Sequence, residues 1–433
     1  MAAFARRFVH HRGITVIQKL DPSVTRLRPS KVGLVLAGGA VSGGAFKAGG
    51  LRALDEVLAA RRFSSITRPF GLTHFDVFVG LSAGSVLASV LSAGIDPDEV
   101  FRILAGTSER YEAFRAAHFM RPNPELLGRW GPLFDRQQEI FTNWLSGATD
   151  SRTASRFSLG DTAKKMLSSL GRVLPTGLFD PHALADYLRR QMARTGLPDD
   201  FAGAFAKTGK ELYLTATDLS RGELVVFGHD EPYGKVPISI AIAASCALPG
   251  WYRPMVVDNP LANQPGQPQV LDLVDGGLMR TANVRVAVEK GCELVVCYNP
   301  FTRIRYDRAG RNLYDAGLPS IVSQSVRTMI GARLDLAKEL VFHDENIQAD
   351  VIFIEPAEDD FVFFNMSPLN FWTKHRAAQH GYDSVRRGLN NAHDLLSGVF
   401  NAHGIDLRQA QPHRTLDETK LQNNPRESRG HER

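Results

Sequence analysis

Phe75-Asp76-Val77-Phe78-Val79-Gly80-Leu81-Ser82-Ala83-Gly84-Ser85-Val86-Leu87-Ala88-Ser89-Val90-Leu91-Ser92-Ala93 is the stretch that decides how this chain folds. Its opening run is apolar and β-branched, which predicts a strand at 76–80. Ser85 to Ala93 is small or apolar and predicts a helix. Between them stands Gly80-Leu81-Ser82-Ala83-Gly84. Gly-x-Ser-x-Gly between a strand and a helix is the nucleophile-elbow pattern. Gly80 and Gly84 fit a turn where strand and helix approach too closely for side chains. Such a turn sets the Ser82 hydroxyl at a helix N-terminus, where the dipole favours a developing alkoxide. By itself the pentapeptide is equally the sequence of an ordinary tight strand-to-helix turn.

Upstream, Gly33-Leu34-Val35-Leu36 predicts a strand at 32–36, followed by the glycine-rich Ala37-Gly38-Gly39-Ala40-Val41-Ser42-Gly43-Gly44 and a helix running to about Arg61. A glycine-rich loop at a helix N-terminus exposes backbone N–H groups and makes an anion site. A nucleotide P-loop needs Gly-Lys-Ser/Thr at its end, which is absent, and the glycine spacing does not fit a dinucleotide fingerprint. With a nucleophile elbow downstream, an oxyanion hole is the better match. Far along the chain the apolar run Val270 to Val274 ends in Asp275-Gly276-Gly277. In most proteins that is a plain turn; beside these two motifs, Asp275 is a candidate general base for Ser82.

The three motifs together, in this order, resemble the patatin-like phospholipases: a glycine-rich oxyanion loop, then G-x-S-x-G, then D-G-A/G. Leu212 to Leu219 with Gly222 to Phe227 is similar to the family's central hairpin, and Ala241-Ile242-Ala243-Ala244-Ser245-Cys246-Ala247-Leu248-Pro249 to its A-x-x-A-S-x-A-x-P helix end. The resemblance covers about residues 32–300. It departs in the loop, where the family usually has G-G-G-x-R-G. Here the arginine is missing, Ala40 replaces the third glycine, and the loop reads about two residues longer. Lys47 is the nearest cation, and at helical spacing it is expected to point to solvent.

The resemblance implies a Ser-Asp dyad acting on lipid carboxylic esters, as a phospholipase A or lysophospholipase does. Ser82 would attack the carbonyl and Asp275 would take its proton. Backbone N–H groups of Gly38, Gly39 and Ala40, with Gly43 and Gly44 in the same loop, would form the oxyanion hole. Gly80, Gly84, Gly276 and Gly277 would shape the two turns. The implied fold is α/β: a three-layer α/β/α sandwich around a mainly parallel sheet, with a helical cap insertion. Strand signals at 32–36, 76–80, 212–217, 223–228, 270–274, 293–298 and 350–355 agree with that class. A histidine triad is the rival within enzymes. Its third member would come from His343, His375, His380 or His393, all in charged helical stretches where exposed histidines are ordinary. A lipid acyltransferase with the same dyad, a catalytically weak lipid-binding protein and a non-enzymatic scaffold are the other classes. The scaffold is least favoured, because it has no need of the three motifs together.

Composition narrows the field further. The chain has 433 residues, 43% of them hydrophobic, enough for one large catalytic domain with an embellishment. The boundaries expected are a basic arm at 1–30, a catalytic domain at 31–300 with a helical insertion at about 109–181, completing helices and a strand at 301–404, and a polar, disordered tail at 405–433. The insertion carries Phe114, Phe119, Trp130, Phe134, Phe141, Trp144 and Phe157 among arginines, which suits helices capping the core or a mobile cap at a lipid interface. The net charge of +5 resides almost wholly in the arm, which has six Lys/Arg against one acid. That distribution argues against a nucleic-acid partner and leaves the arm free to meet anionic headgroups. The arginine-rich loop Thr302 to Arg311 could read a phosphate headgroup, though solvated loop charge is the commoner role. Three cysteines are too few and too odd for a disulfide framework, and Cys292 and Cys297 read as buried thiols. No signal peptide or membrane span is expected, so the location read from sequence is cytoplasmic or peripheral at a membrane. No metal or cofactor is expected, calcium included, since no cluster of carboxylate ligands is visible. The expected partner is lipid at a membrane or micelle surface; oligomeric state has no sequence signal.

Overall fold

The computed structural model describes residues 6–22, 24, 26, 28–62, 70–125, 175–301, 313–357, 360–364 and 374–409. Along the chain, β1 (Arg7–His11), β2 (Ile14–Gln18) and β3 (Val32–Leu36) lead into α1 (Ala40–Val57) and β4 (Leu58–Arg61). Then come β5 (Val77–Leu81), α2 (Ala83–Ser92), α3 (Pro97–Ala105), β6 (Gly177–Phe179), α4 (His182–Thr195) and α5 (Phe201–Thr208). The hairpin of β7 (Glu211–Asp218) and β8 (Glu223–Phe227) precedes α6 (Ile238–Ser245), β9 (Gly250–Tyr252), β10 (Met255–Asp258) and β11 (Val270–Asp275). The last third contains α7 (Val284–Glu289), β12 (Leu294–Tyr298), α8 (Gly317–His343), β13 (Asp350–Ile354), α9 (Lys374–Asn391), α10 (His393–Ala402) and β14 (Ile405–Leu407).

Ten strands form the main sheet in the order β1-β2-β13-β12-β3-β5-β7-β11-β10, with β8 also on β7. Its centre, β13-β12-β3-β5-β7, is parallel, and both flanks are antiparallel. The sheet is therefore mixed around a parallel core. The core strands are buried on both faces, as parallel strands covered by helices must be. Period-two alternation divides them between two apolar clusters. Leu34, Phe78 and Val296 join α1, α2, α4, α6 and α9 on one side. Val35, Val77, Val79, Val295 and Cys297 join α7 and α8 on the other. These are the three layers expected of the fold class.

All seven expected strands form. The expected basic arm is a different matter: Arg7–Gln18 is a hairpin built into the sheet edge, with β2 buried and paired to β13. The reason is the β-branched run Ile14-Thr15-Val16-Ile17, which covers β13. Asp350 fastens the hairpin's exit by accepting from the N–H groups of Lys19 and Leu20 at 2.7 and 2.9 Å. At the other end, β14 pairs with β4, so the ordered chain reaches past the boundary at 405. The insertion at 109–181 is described only at its flanks; residues 126–174, with Trp130, Phe134, Phe141, Trp144 and Phe157, lie outside the described residues, as do 302–312 and 410–433. All three cysteines are buried free thiols. Among the described residues no helix is long and apolar enough to cross a membrane, and no group of three or more His, Cys, Asp or Glu side chains could hold a metal ion.

Candidate active site

Strand register brings Ser82 and Asp275 together. The first half of β7 pairs in parallel with β5, and its second half pairs antiparallel with β11. Leu81 lies opposite Thr215 and Asp275 opposite Ala216, consecutive residues of one strand. β5 and β11 therefore run towards each other along β7 and end side by side. Ser82 is the next residue after β5; Asp275 is the last of β11.

Ser82 has φ 51° and ψ −130°, a conformation that side chains rarely adopt. Such strain persists only where the surroundings over-determine it, and here they do. A Cβ on Gly80 would lie 2.5 Å from Ser85 Cα, and one on Gly84 would lie 2.1 Å from Leu36 O. The Ser82 N–H donates to Ser245 Oγ at 2.7 Å, and the Ser245 hydroxyl donates to Thr215 O at 2.7 Å. The Ser82 carbonyl accepts from both the N–H and the hydroxyl of Ser85.

Asp275 accepts from Gly277 N–H at 2.8 Å, and the neighbouring Ser82 hydroxyl favours its charged form. Its own N–H donates to Ala247 O at 2.9 Å. Burial raises its carboxyl to about 6, against the opposing pull of the Ser82 hydroxyl, the Gly277 N–H and the Lys47 charge. Gly276 is needed where it stands, since a Cβ there would come within 2.7 Å of both Leu81 Cδ1 and Thr215 O.

The glycine loop is shorter than the sequence suggests. α1 begins at Ala40, so Val41 and Ser42 are its first turn and not a loop extension. A Cβ on Gly38 would lie 3.3 Å from Ser82 Cβ, which places the loop directly against Ser82. Gly39 (φ 150°) and Ala40 (φ 50°) turn the chain into the helix. Among the described residues no acceptor is found for the N–H groups of Gly38, Gly39 or Ala40. Gly43 is different: its N–H closes the first helical turn onto Gly39 O at 2.8 Å and is no free donor. Gly44 likewise lies inside the helix, where its missing side chain makes room for Ala83, 3.1 Å from the Cβ it would carry. These two glycines serve packing, not anion binding.

Lys47 reverses the expectation of a solvated cation. It is fully buried, and its Nζ donates to Ala37 O and to Gly38 O, the latter at 2.9 Å. Helical spacing says which residues share a face, not which faces are covered. α1 is covered nearly all round because it meets α9 backbone to backbone: a Cβ on Gly49 would lie 1.7 Å from Ala378 O, and one on Gly381 2.0 Å from Phe46 O.

A cavity of about 150 Å³ opens beside Ser82 and Ala40. Val86, Val90, Leu104, Phe114, Tyr187 and Met192 line it, so its wall is almost entirely apolar. Phe114 and Phe119, on the described flank of the expected insertion, both belong to this wall. None of the four candidate histidines lines it. His380 is bonded instead to Asp360 at 2.6 Å. A buried Ser-His-Asp string lies elsewhere, Ser30 to His403 at 3.0 Å and His403 to Asp350 at 2.9 Å. It is closed to solvent, and Arg26 also bonds both Ser30 and His403, so it ties the chain's two ends together.

Sequence reasoning matched the Ala241 to Pro249 stretch but assigned it no role. In the fold it holds both halves of the site, through Ser245 on Ser82 and Ala247 on Asp275. The signal was its co-occurrence with the three glycine motifs.

A family model described as patatin-like phospholipase matches residues 34–288. The match takes in more than half of the chain, which belongs to the patatin-like phospholipase family and with it to the lipid ester hydrolases. Solved structures similar to it include VipD from Legionella pneumophila, at 16% identity and TM-score 0.33, covering 89% of this chain and 70% of that one. Human GIVD cytosolic phospholipase A2 is similar at 11% identity and TM-score 0.43, covering 88% and 62%. The type III effector protein ExoU is similar at 18% identity and TM-score 0.25, covering 87% and 54%. The chain thus spans less than two thirds of the length of the last two. No curated protein matches the sequence.

Proposed function

We propose that this chain is a serine acyl hydrolase of lipid carboxylic esters, phospholipase A- or lysophospholipase-like, in which Ser82 is the nucleophile and Asp275 the base. The observation that carries this is the register that ends β5 and β11 at neighbouring positions of β7, so that Ser82, on the wall of an apolar cavity, stands beside Asp275. Ser82 Oγ attacks the ester carbonyl as its proton passes to Asp275. The tetrahedral oxyanion takes the free N–H groups of Gly38, Gly39 and Ala40. Collapse expels the alcohol, which leaves with the proton from Asp275 and an acyl group on Ser82. Asp275 then draws a proton from water, the hydroxide attacks the acyl carbonyl, and the fatty acid departs as Ser82 recovers its proton. The cavity wall is predominantly apolar and suits an acyl chain. Substrate would be drawn from a membrane or micelle surface.

Labelling with an active-site fluorophosphonate, followed by hydrolysis of a mixed lipid extract, tests the proposal. Wild-type enzyme should be labelled at Ser82 and release fatty acid; Ser82→Ala should do neither while folding normally. A Ser82→Ala variant with full activity would overturn the assignment. Transfer of the acyl group to an added alcohol in preference to water would make the enzyme an acyltransferase.

A further inference from the structure

We propose that Lys47 is a positioning residue that aims the oxyanion donors, by gripping from behind the peptide groups whose N–H bonds face Ser82. The inference rests on the proposed serine chemistry. A trans peptide is planar, with its C=O and N–H pointing in opposite directions. The Ala37 carbonyl shares a peptide with the Gly38 N–H, and the Gly38 carbonyl shares one with the Gly39 N–H. The Lys47 ammonium holds both carbonyls. One cation therefore turns two N–H groups to the opposite side, and Gly38 lies against Ser82.

The sequence makes this possible. Lys47 sits in the third turn of α1, and long helical side chains run back towards the helix N-terminus. The loop is immediately N-terminal to that helix. Ala40, in left-handed backbone where the family usually has glycine, is a residue that resists this turn and needs an external hold. An arginine step is absent, and a buried lysine in the third turn of the helix reaches the loop instead.

The placement is costly for any purely structural purpose. Among the described residues no carboxylate forms an ion pair with Lys47, and burial brings its ammonium down to about 7. The titratable groups facing it are Asp275 at the end of β11, Cys246 after α6 and Cys297 on β12. A methionine would fill the same space without desolvating a charge. What methionine lacks is the pair of donors and the positive charge beside Asp275.

The test is Lys47→Met, nearly isosteric but without donors, compared with wild type on a soluble p-nitrophenyl ester. Active sites are counted by fluorophosphonate titration. The expected result is a kcat per labelled site lower on the order of 100-fold, with KM within about threefold, as for a lost oxyanion donor. The acid limb of the kcat/KM profile should also move to higher pH, because Asp275 loses a neighbouring positive charge. Lys47→Gln, which keeps one donor in the site, should fall between the two. A variant with wild-type kcat per labelled site and an unmoved pH profile overturns the proposal, even if fewer molecules fold. Failure of both variants to fold assigns Lys47 a structural role only and also overturns it. Absence of labelling and hydrolysis in the wild type would instead sink the serine chemistry, so the two failures are distinct.

Discussion

Asp275→Asn should make the protein more stable while destroying its activity. Burial lifts the Asp275 carboxyl from 3.8 to about 6. The folded state then binds this proton more tightly than the unfolded chain does, so its contribution to stability is lost as pH rises from about 4 through 6. A shift of roughly two pH units corresponds to about 3 kcal/mol at pH 8. Asparagine keeps an acceptor for the Gly277 N–H and a partner for the Ser82 hydroxyl. It also removes the negative charge that favours the Lys47 ammonium, which returns part of the gain. The net stabilisation expected at pH 8 is on the order of 1–3 kcal/mol. Loss of the base should lower kcat by roughly 1,000-fold. Urea unfolding followed by circular dichroism at pH 4.5 and pH 8, beside ester hydrolysis on the same samples, measures both. The gap between variant and wild type should be small at pH 4.5 and wide at pH 8. A variant no more stable than wild type at pH 8, or a gap that does not change with pH, refutes the reasoning. So does retained turnover.

Three further outcomes are expected. Gly38→Ala puts a methyl group 3.1 Å from Phe301 Cε2 and 3.3 Å from Ser82 Cβ, beside the proposed oxyanion donors. It should fold, and kcat for a short ester should drop by about tenfold or more, on the scale of a disturbed oxyanion donor. Val90→Phe narrows the apolar cavity; hydrolysis of long-chain esters should fall at least about tenfold relative to butyrate esters, since each methylene excluded is worth about 0.8 kcal/mol. Equal losses on both would place the acyl chain elsewhere. His343→Ala, His375→Ala, His380→Ala and His393→Ala should each leave kcat within a few-fold, because none lines the cavity; a collapse in one would reinstate a triad.

Much of the site was legible because its turns demand particular residues. Gly80, Gly84 and Gly276 each stand where a Cβ would strike backbone or a packed side chain, so close approach leaves a mark in the sequence. The same holds for the strands, whose β-branched runs mark the positions of all seven expected ones. Burial was harder to read. Lys47 looked like a surface residue, since the covering of α1 depends on α9, more than 300 residues away, where Gly381 meets Phe46. The N-terminal segment looked like a basic arm because charge was weighed over the whole stretch, while Ile14 to Ile17 alone determine that it joins the sheet.

The chain by itself determined that a serine would sit on a strained turn between a strand and a helix, and that an aspartate would end another strand before two glycines. Those are local consequences of residue type and backbone geometry. Tertiary structure alone decided that the two strands stop at neighbouring positions of β7, Leu81 opposite Thr215 and Asp275 opposite Ala216, so that Ser82 and Asp275 stand side by side. Register arises from pairing between segments far apart in the chain, where no local pattern encodes the partner.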